Sequence, residues 1–342
     1  MRSAEVLPLT PDFQPALGDI GELRQLLSQP AFGALVVVRD GRILLESYAP
    51  DFGPSQLHSM QSITKSFIHL AMGRLIVEGR IDPSQPIATY VPEAGSAYAD
   101  VSVQQALDMN VPSNFSDDYE APYFPGPAPG EPVGYGRQEI AMGWRLPPKG
   151  EREFGIREFA AGLTARLRAG TDDETIYASP NTDMLGWVIE RASGRPLLDH
   201  VADIVEAAGI EASFHVSIDC KGVPVLSGGG VMTARDLARY GLLIARGGLE
   251  CSTHGHSPFL ADAMSGAGTR YRGSPRLRYR NHLLSNGTWV GHPGYAGQFL
   301  MIAPEKRAVA AFYSVLETDY GDQDGYFPMI ISVLEELLGA IG

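Results

Sequence analysis

Ser62 and Lys65 stand three residues apart in the stretch HSMQSITKSF. A serine hydroxyl is a poor nucleophile until a base takes its proton. A lysine amine can be that base once burial or nearby cations lower its pKa. On a helix, residues i and i+3 share a face, so this spacing sets hydroxyl beside amine. A helix N-terminus adds backbone N–H groups and a positive dipole end, which suit a developing oxyanion. The same residues also describe a surface turn, with Ser62 as an N-cap and Lys65 solvated. Of the chain's four lysines (Lys65, Lys149, Lys221 and Lys306), Lys65 alone has a serine three positions before it. Ser59 has no lysine at i+3 and is the lesser candidate.

Two further stretches hold groups such a serine needs. TIYASPNTD places Tyr177 in a short apolar strand or turn just before a helix. A tyrosinate held between cations would act as base toward the serine and later as acid toward a leaving group. A core tyrosine donating one hydrogen bond fits the same residues. WVGHPGYAGQF brings His292, Gly294 and Gly297 to a predicted strand start, where glycines let backbone approach a ligand closely. Its N–H groups are candidates for an oxyanion hole, against the plainer reading of a glycine-rich strand beginning.

The elements that must position these residues follow from periodicity. FGALVVVRDGRILLESY reads as two strands around Asp40–Gly41, a strong two-residue hairpin signal. From Ser62, apolar residues recur at helical spacing and predict a helix ending near Gly79, with Ser62 at or near its first turn. SVQQALDM predicts a short helix, and NTDMLGWVIERASG predicts an amphipathic one ended by Gly194. Another helix is expected over Pro196 to Ala208. Thr233 is a plausible N-cap for the next, with Asp236 at its third position and Gly247–Gly248 at its end. After a variable Arg- and Gly-containing segment, GTWVGHPGYAGQFLMIAP and RAVAAFYSVL read as strands, followed by a helix from about Gly325 to Leu338. Pro112 to Pro132 is a long Pro/Gly-rich stretch, a candidate lid.

This order predicts an α+β fold, an antiparallel sheet flanked by helices with a mostly helical insertion. The expected division is residues 1–81 with 225–342 for the sheet domain and 82–224 for the helical one. A net charge of -13 without a basic run argues against nucleic acid and anionic membrane surfaces. No apolar run is long enough to span a bilayer, and the first residues carry no apolar export signal. Cys220 and Cys251 are far apart and outside any C-x-x-C, so a cytoplasmic setting is expected. His254 and His256 lack the partners of a zinc motif, and no nucleotide-binding glycine motif occurs. No metal and no cofactor are expected. No G-x-S-x-G elbow occurs, which disfavours an α/β-hydrolase.

SITK, YAS and HPG, in this order, resemble the three signature elements of the serine β-lactamase and penicillin-binding superfamily. The likeness is nearest to its class C-like branch, which holds class C β-lactamases, D-aminopeptidases, family VIII esterases and 6-aminohexanoate-dimer hydrolases. It runs from about Phe32 to Leu338 and includes NTDMLGWVIERASG, GGGVMTARDLARYG and GHPGYAGQFLMIAPEKRAV. By matching residue, the resemblance implies Ser62 as the acylated nucleophile, Lys65 as its proton-handling partner and Tyr177 as the proton shuttle. It implies an oxyanion hole from the N–H groups of Ser62 and Tyr295, and substrate contacts from Ser179, Asn181, His292 and Gly294.

Two departures favour an esterase or amidase over a β-lactamase. Ser179 stands where the family has asparagine, with Asn181 two residues on as its partial substitute. His292 stands where true β-lactamases usually have a lysine. The absent export signal points the same way. The expected substrate is a small-molecule ester or linear amide, met by a monomer or homodimer. β-Lactamase or D-amino-acid peptidase activity and a catalytically inactive binding relative are the alternatives.

Overall fold

The computed structural model describes residues 1–117, 133–167, 173–249, 257–316 and 325–342. Most of the Pro112–Pro132 stretch, together with Cys251, His254 and His256, lies outside the described residues. Cys220 is an exposed free thiol.

The predicted hairpin forms as β2 (Phe32–Arg39) and β3 (Arg42–Tyr48). Asp40 and Gly41 both take positive φ, 48° and 81°, as a type I′ turn requires. They join a nine-stranded sheet with β1 (Thr10–Pro11), β4 (Thr269–Arg270), β5 (Arg278–Arg280), β6 (Leu283–Ser285), β7 (Val290–Gly294), β8 (Gln298–Ala303) and β9 (Ala308–Ser314). The spatial order is β1-β3-β2-β9-β8-β7-β6-β5-β4. Every neighbouring pair is antiparallel except β1 with β3.

β2 is apolar from Phe32 to Val38 because both its faces are covered. Ala34, Val36 and Val38 enter one hydrophobic core, and Leu35 and Val37 enter the other, as the period-two pleat demands. The first core is shared with α1 (Ser66–Val77), α2 (Val103–Leu107), α3 (Pro180–Ser193), α4 (Leu197–Ala208) and α5 (Ala234–Ala245). The second lies under α6 (Tyr326–Ala340). Gly194, at φ 66°, ends α3 as expected. Thr233 caps α5 by accepting from the Asp236 N–H. Asp236 also accepts from the Glu211 and Ala212 N–H groups, which ties the chain after α4 to that cap. Arg235 grips Glu46 through two nitrogens, at 2.6 and 2.8 Å, and so fastens α5 to β3.

Between residues 82 and 224 the described chain gives helices, short bridges and the two-residue strands Phe115–Ser116, Val133–Gly134 and His215–Val216, none of which belongs to the nine-stranded sheet. Two local expectations change. Ser62 does not open an α-helix; it lies in a 3₁₀ turn, Gln61–Lys65, that leads into α1. Nor is HPG a strand beginning. It closes β7, the turn Tyr295–Gly297 reverses the chain, and β8 starts at Gln298.

Candidate active site

The 3₁₀ turn is the reason Ser62 and Lys65 meet. At three residues per turn, side chains at i and i+3 eclipse one another. The Lys65 Nζ lies 2.8 Å from Ser62 Oγ, and it also donates to the Ser227 carbonyl. Lys65 is fully buried, whereas Ser62 keeps part of its surface in solvent. Burial pushes the Lys65 pKa down to about 8, against the opposing pull of Asp117 and Asp183. Gln61, immediately before Ser62, is held at φ 50°, an uncommon conformation for a residue with a Cβ.

Two glycines let backbone close on this turn. Met60 N–H donates to the Gly230 carbonyl at 2.8 Å, and Gly230 N–H donates to Thr64 Oγ1 at 3.0 Å. A Cβ on Gly230 would come within 2.7 Å of Thr64 Oγ1. On the other side, a Cβ on Gly294 would come within 2.6 Å of the Met60 carbonyl. The end of β7 therefore runs against the residues leading into Ser62, and Tyr295 follows at once.

Tyr177 reaches Ser62 from the segment before α3. Its hydroxyl comes near enough to that of Ser62 to oppose the rise in its pKa, and its ring lies under the Lys65 ammonium at 5.2 Å from the centroid. Tyr271 and Tyr279 meet the ring edge-to-face at 6.5 and 6.1 Å. Burial raises the Tyr177 pKa well above the ordinary phenol value, and the neighbouring tyrosines add to the rise. The phenol stays protonated at neutral pH. No second cation is needed to describe its setting, since the histidine beside it carries no charge.

That histidine is His292, fully buried at 6.3 Å from the Tyr177 ring centroid. Its Nδ1 lies 2.6 Å from the Pro293 carbonyl, which can only accept, so Nδ1 carries the proton. Nε2 then accepts from the Tyr279 hydroxyl at 2.9 Å. Burial and the Lys65 charge hold its pKa well below the usual histidine value. Asn181 is likewise fully buried; its Oδ1 accepts from the Tyr98 hydroxyl at 2.8 Å, and its Nδ2 lies 3.4 Å from Met109 Sδ. Ser179 is buried just before α3, with its carbonyl accepting from the Thr182 N–H. Ser62, Lys65, Tyr177 and the end of β7 thus converge, while Asn181 and His292 spend their polar atoms on the protein itself.

The beta-lactamase family model matches residues 23–327. The chain belongs to the beta-lactamase family. Its likeness is to the class C-like branch of the superfamily, among esterases and amidases. It is 35% identical, over 230 residues, to a 6-aminohexanoate-dimer hydrolase of Paenarthrobacter ureafaciens. That match takes in 67% of this chain and 55% of the relative, so it spans about half of the relative's length. A Bacillus anthracis protein described as a 6-aminohexanoate-dimer hydrolase shares the fold at a TM-score of 0.79 and 22% identity, covering 99% of this chain and 90% of its own. A D-stereospecific amidohydrolase from a Streptomyces species gives 0.64 at 19% identity, covering 93% and 97%.

Several residues of this beta-lactamase-family site were not singled out from sequence. Ser227 contributes a backbone carbonyl, which every residue type carries. Tyr271 and Tyr279 came from the stretch read only as variable. The alternation in RLRYR was the available signal, since it marks β5 and puts Tyr279 in the sheet. Asp183 was read as part of an amphipathic helix, but it is buried and close enough to Lys65 to attract its charge.

Proposed function

We propose that the chain is a serine hydrolase that cleaves an ester or linear amide of a small molecule through an acyl-enzyme on Ser62. The observation that carries this reading is the fully buried Lys65 amine at 2.8 Å from the hydroxyl of a partly exposed serine. A solvated surface lysine would have neither the burial nor the lowered pKa.

Lys65 Nζ takes the Ser62 proton as Oγ bonds to the substrate carbonyl carbon. The N–H groups of Ser62 and Tyr295 receive the oxyanion. When the carbonyl re-forms and the carbon–oxygen or carbon–nitrogen bond breaks, Tyr177 gives its proton to the departing alkoxide or amine. The Lys65 ammonium restores that proton. Water then repeats the sequence on the acyl-enzyme and releases the acid. This division of labour departs from a tyrosinate base: Lys65 accepts and Tyr177 donates. A neutral His292 offers no fixed positive charge to a substrate carboxylate, which favours uncharged esters and linear amides over β-lactams. The Paenarthrobacter relative's name adds a linear amide between aminohexanoate units to the substrates worth assaying.

Intact mass after exposure to a fluorophosphonate tests the reading. One adduct on the wild type, absent from Ser62→Ala, is expected. An adduct that persists in Ser62→Ala would overturn the assignment.

A further inference from the structure

Asp183 is a buried acid that the mechanism above leaves without a task. It sits in the first turn of α3 with no exposed surface to speak of, and its Oδ1 has no hydrogen-bond partner. A buried carboxylate oxygen without a partner is costly and needs a reason. Its other oxygen accepts from Gln138 Nε2 at 3.3 Å. The Ser227 hydroxyl also favours its ionised form, and Lys65 attracts it. Ser227 thereby stands beside both charges: its carbonyl accepts from the Lys65 ammonium, and its hydroxyl, 3.7 Å from Met142 Sδ, is close enough to favour the Asp183 carboxylate.

We propose that Asp183 is a positioning residue for Lys65: a buried counter-charge, linked through Ser227, that holds the amine against Ser62 and stabilises the ammonium formed during acylation. This rests on the Ser62 acyl-enzyme reading. The proton that leaves Ser62 Oγ becomes a Lys65 ammonium proton, and the Asp183 carboxylate faces that new charge without itself bonding to substrate. Burial alone would push the carboxyl up, and it stands at about 6, so it is ionised where Lys65 works. Other groups face the pair as well. Asp117 attracts Lys65, Asp219 repels the Asp183 charge, and Tyr98 feels both acids. His282 and His292 are held neutral beside Lys65, and Tyr177 offers its ring.

The chain's four lysines make the test direct. In protein labelled at lysine Cε and Nζ, the Lys65 signal is assigned by elimination with Lys149→Arg, Lys221→Arg and Lys306→Arg. Asp183→Asn should lower the Lys65 midpoint by about one pH unit, the effect of removing a nearby opposite charge. Asp183→Glu should restore most of it. Ser227→Ala keeps the carbonyl, removes the hydroxyl, and should give a smaller shift in the same direction. The rising limb of Ser62 acylation by p-nitrophenyl acetate should move down with the NMR midpoint, while its plateau falls. A purely structural acid would lower the plateau and leave the limb in place. An unmoved Lys65 midpoint in folded Asp183→Asn, or in Ser227→Ala if that variant does not fold, overturns the proposal. Wild type that titrates as expected but is never acylated at Ser62 overturns the hydrolase reading instead.

Discussion

The Lys65 ammonium lies 5.2 Å above the centre of the Tyr177 ring, and burial moves the two groups' pKa values in opposite directions. Lysine loses its proton more readily, and tyrosine holds its own more tightly. Two titratable groups pushed apart by one environment are how an acid and a base are distinguished at a single pH.

Tyr177→Phe should therefore separate substrates by leaving group. p-Nitrophenolate departs without a proton, whereas an amine must be protonated as it leaves. We expect the variant to lose about 10²–10⁴-fold in kcat/KM on a linear amide and roughly tenfold or less on a p-nitrophenyl ester. Equal losses on both would place Tyr177 elsewhere in the chemistry.

Activity should rise with pH and level off above about 8, where Lys65 becomes a free amine. Stability should carry the same mark. The Lys65 pKa is lower folded than its ordinary 10.5, so between about 8 and 10.5 the unfolded chain binds more protons. Unfolding free energy then increases with pH across that window, and the penalty of the buried charge is complete below it. The buried tyrosines act in reverse above 10, where the unfolded phenols ionise first. Urea titrations at pH 7.5 and 9.5, on wild type and Lys65→Met, should show the rise only in the wild type.

Tyr279→Phe removes the donor that His292 Nε2 uses at 2.9 Å and leaves a buried acceptor unpaired. The expected cost is about 1–3 kcal/mol of stability. Equilibrium denaturation is the measure, and an unchanged midpoint would show that the bond contributes nothing.

Gly294→Ala would place a methyl group 2.6 Å from the Met60 carbonyl, so the turn carrying Ser62 must shift. A displacement of that size should cost on the order of 10² in acylation rate. Far-UV circular dichroism should stay close to wild type, because β7 ends at that residue. Acylation at the wild-type rate would mean the turn yields without moving Ser62.

Much of this was readable from residue type and period. The Asp40–Gly41 hairpin, the Thr233 cap and the Gly194 stop depend on local chemistry, and local chemistry is what a sequence displays. The contact between Ser62 and Lys65 was anticipated the same way, although through an α-helical spacing where the chain uses a 3₁₀ turn. Near Ser62 the chain is squeezed between Gly230 and Gly294, and no local pattern announces that pressure from distant segments. Ser227 was invisible because it acts through its carbonyl. Asn181 and His292 carry polar side chains that suit a substrate, yet burial beside Tyr98 and Tyr279 occupies them with the protein.

β2 pairs on one edge with β3, its hairpin partner, and on the other with β9, near the far end of the chain. During synthesis the hairpin is complete long before residue 308 exists. Until then Val36, Val37 and Val38 present an unpaired apolar edge, the kind another chain can occupy. The yield of soluble protein therefore depends on how long that edge must wait. Slowing translation after the hairpin should increase losses to aggregation, and a chaperone that shields extended apolar segments should recover them.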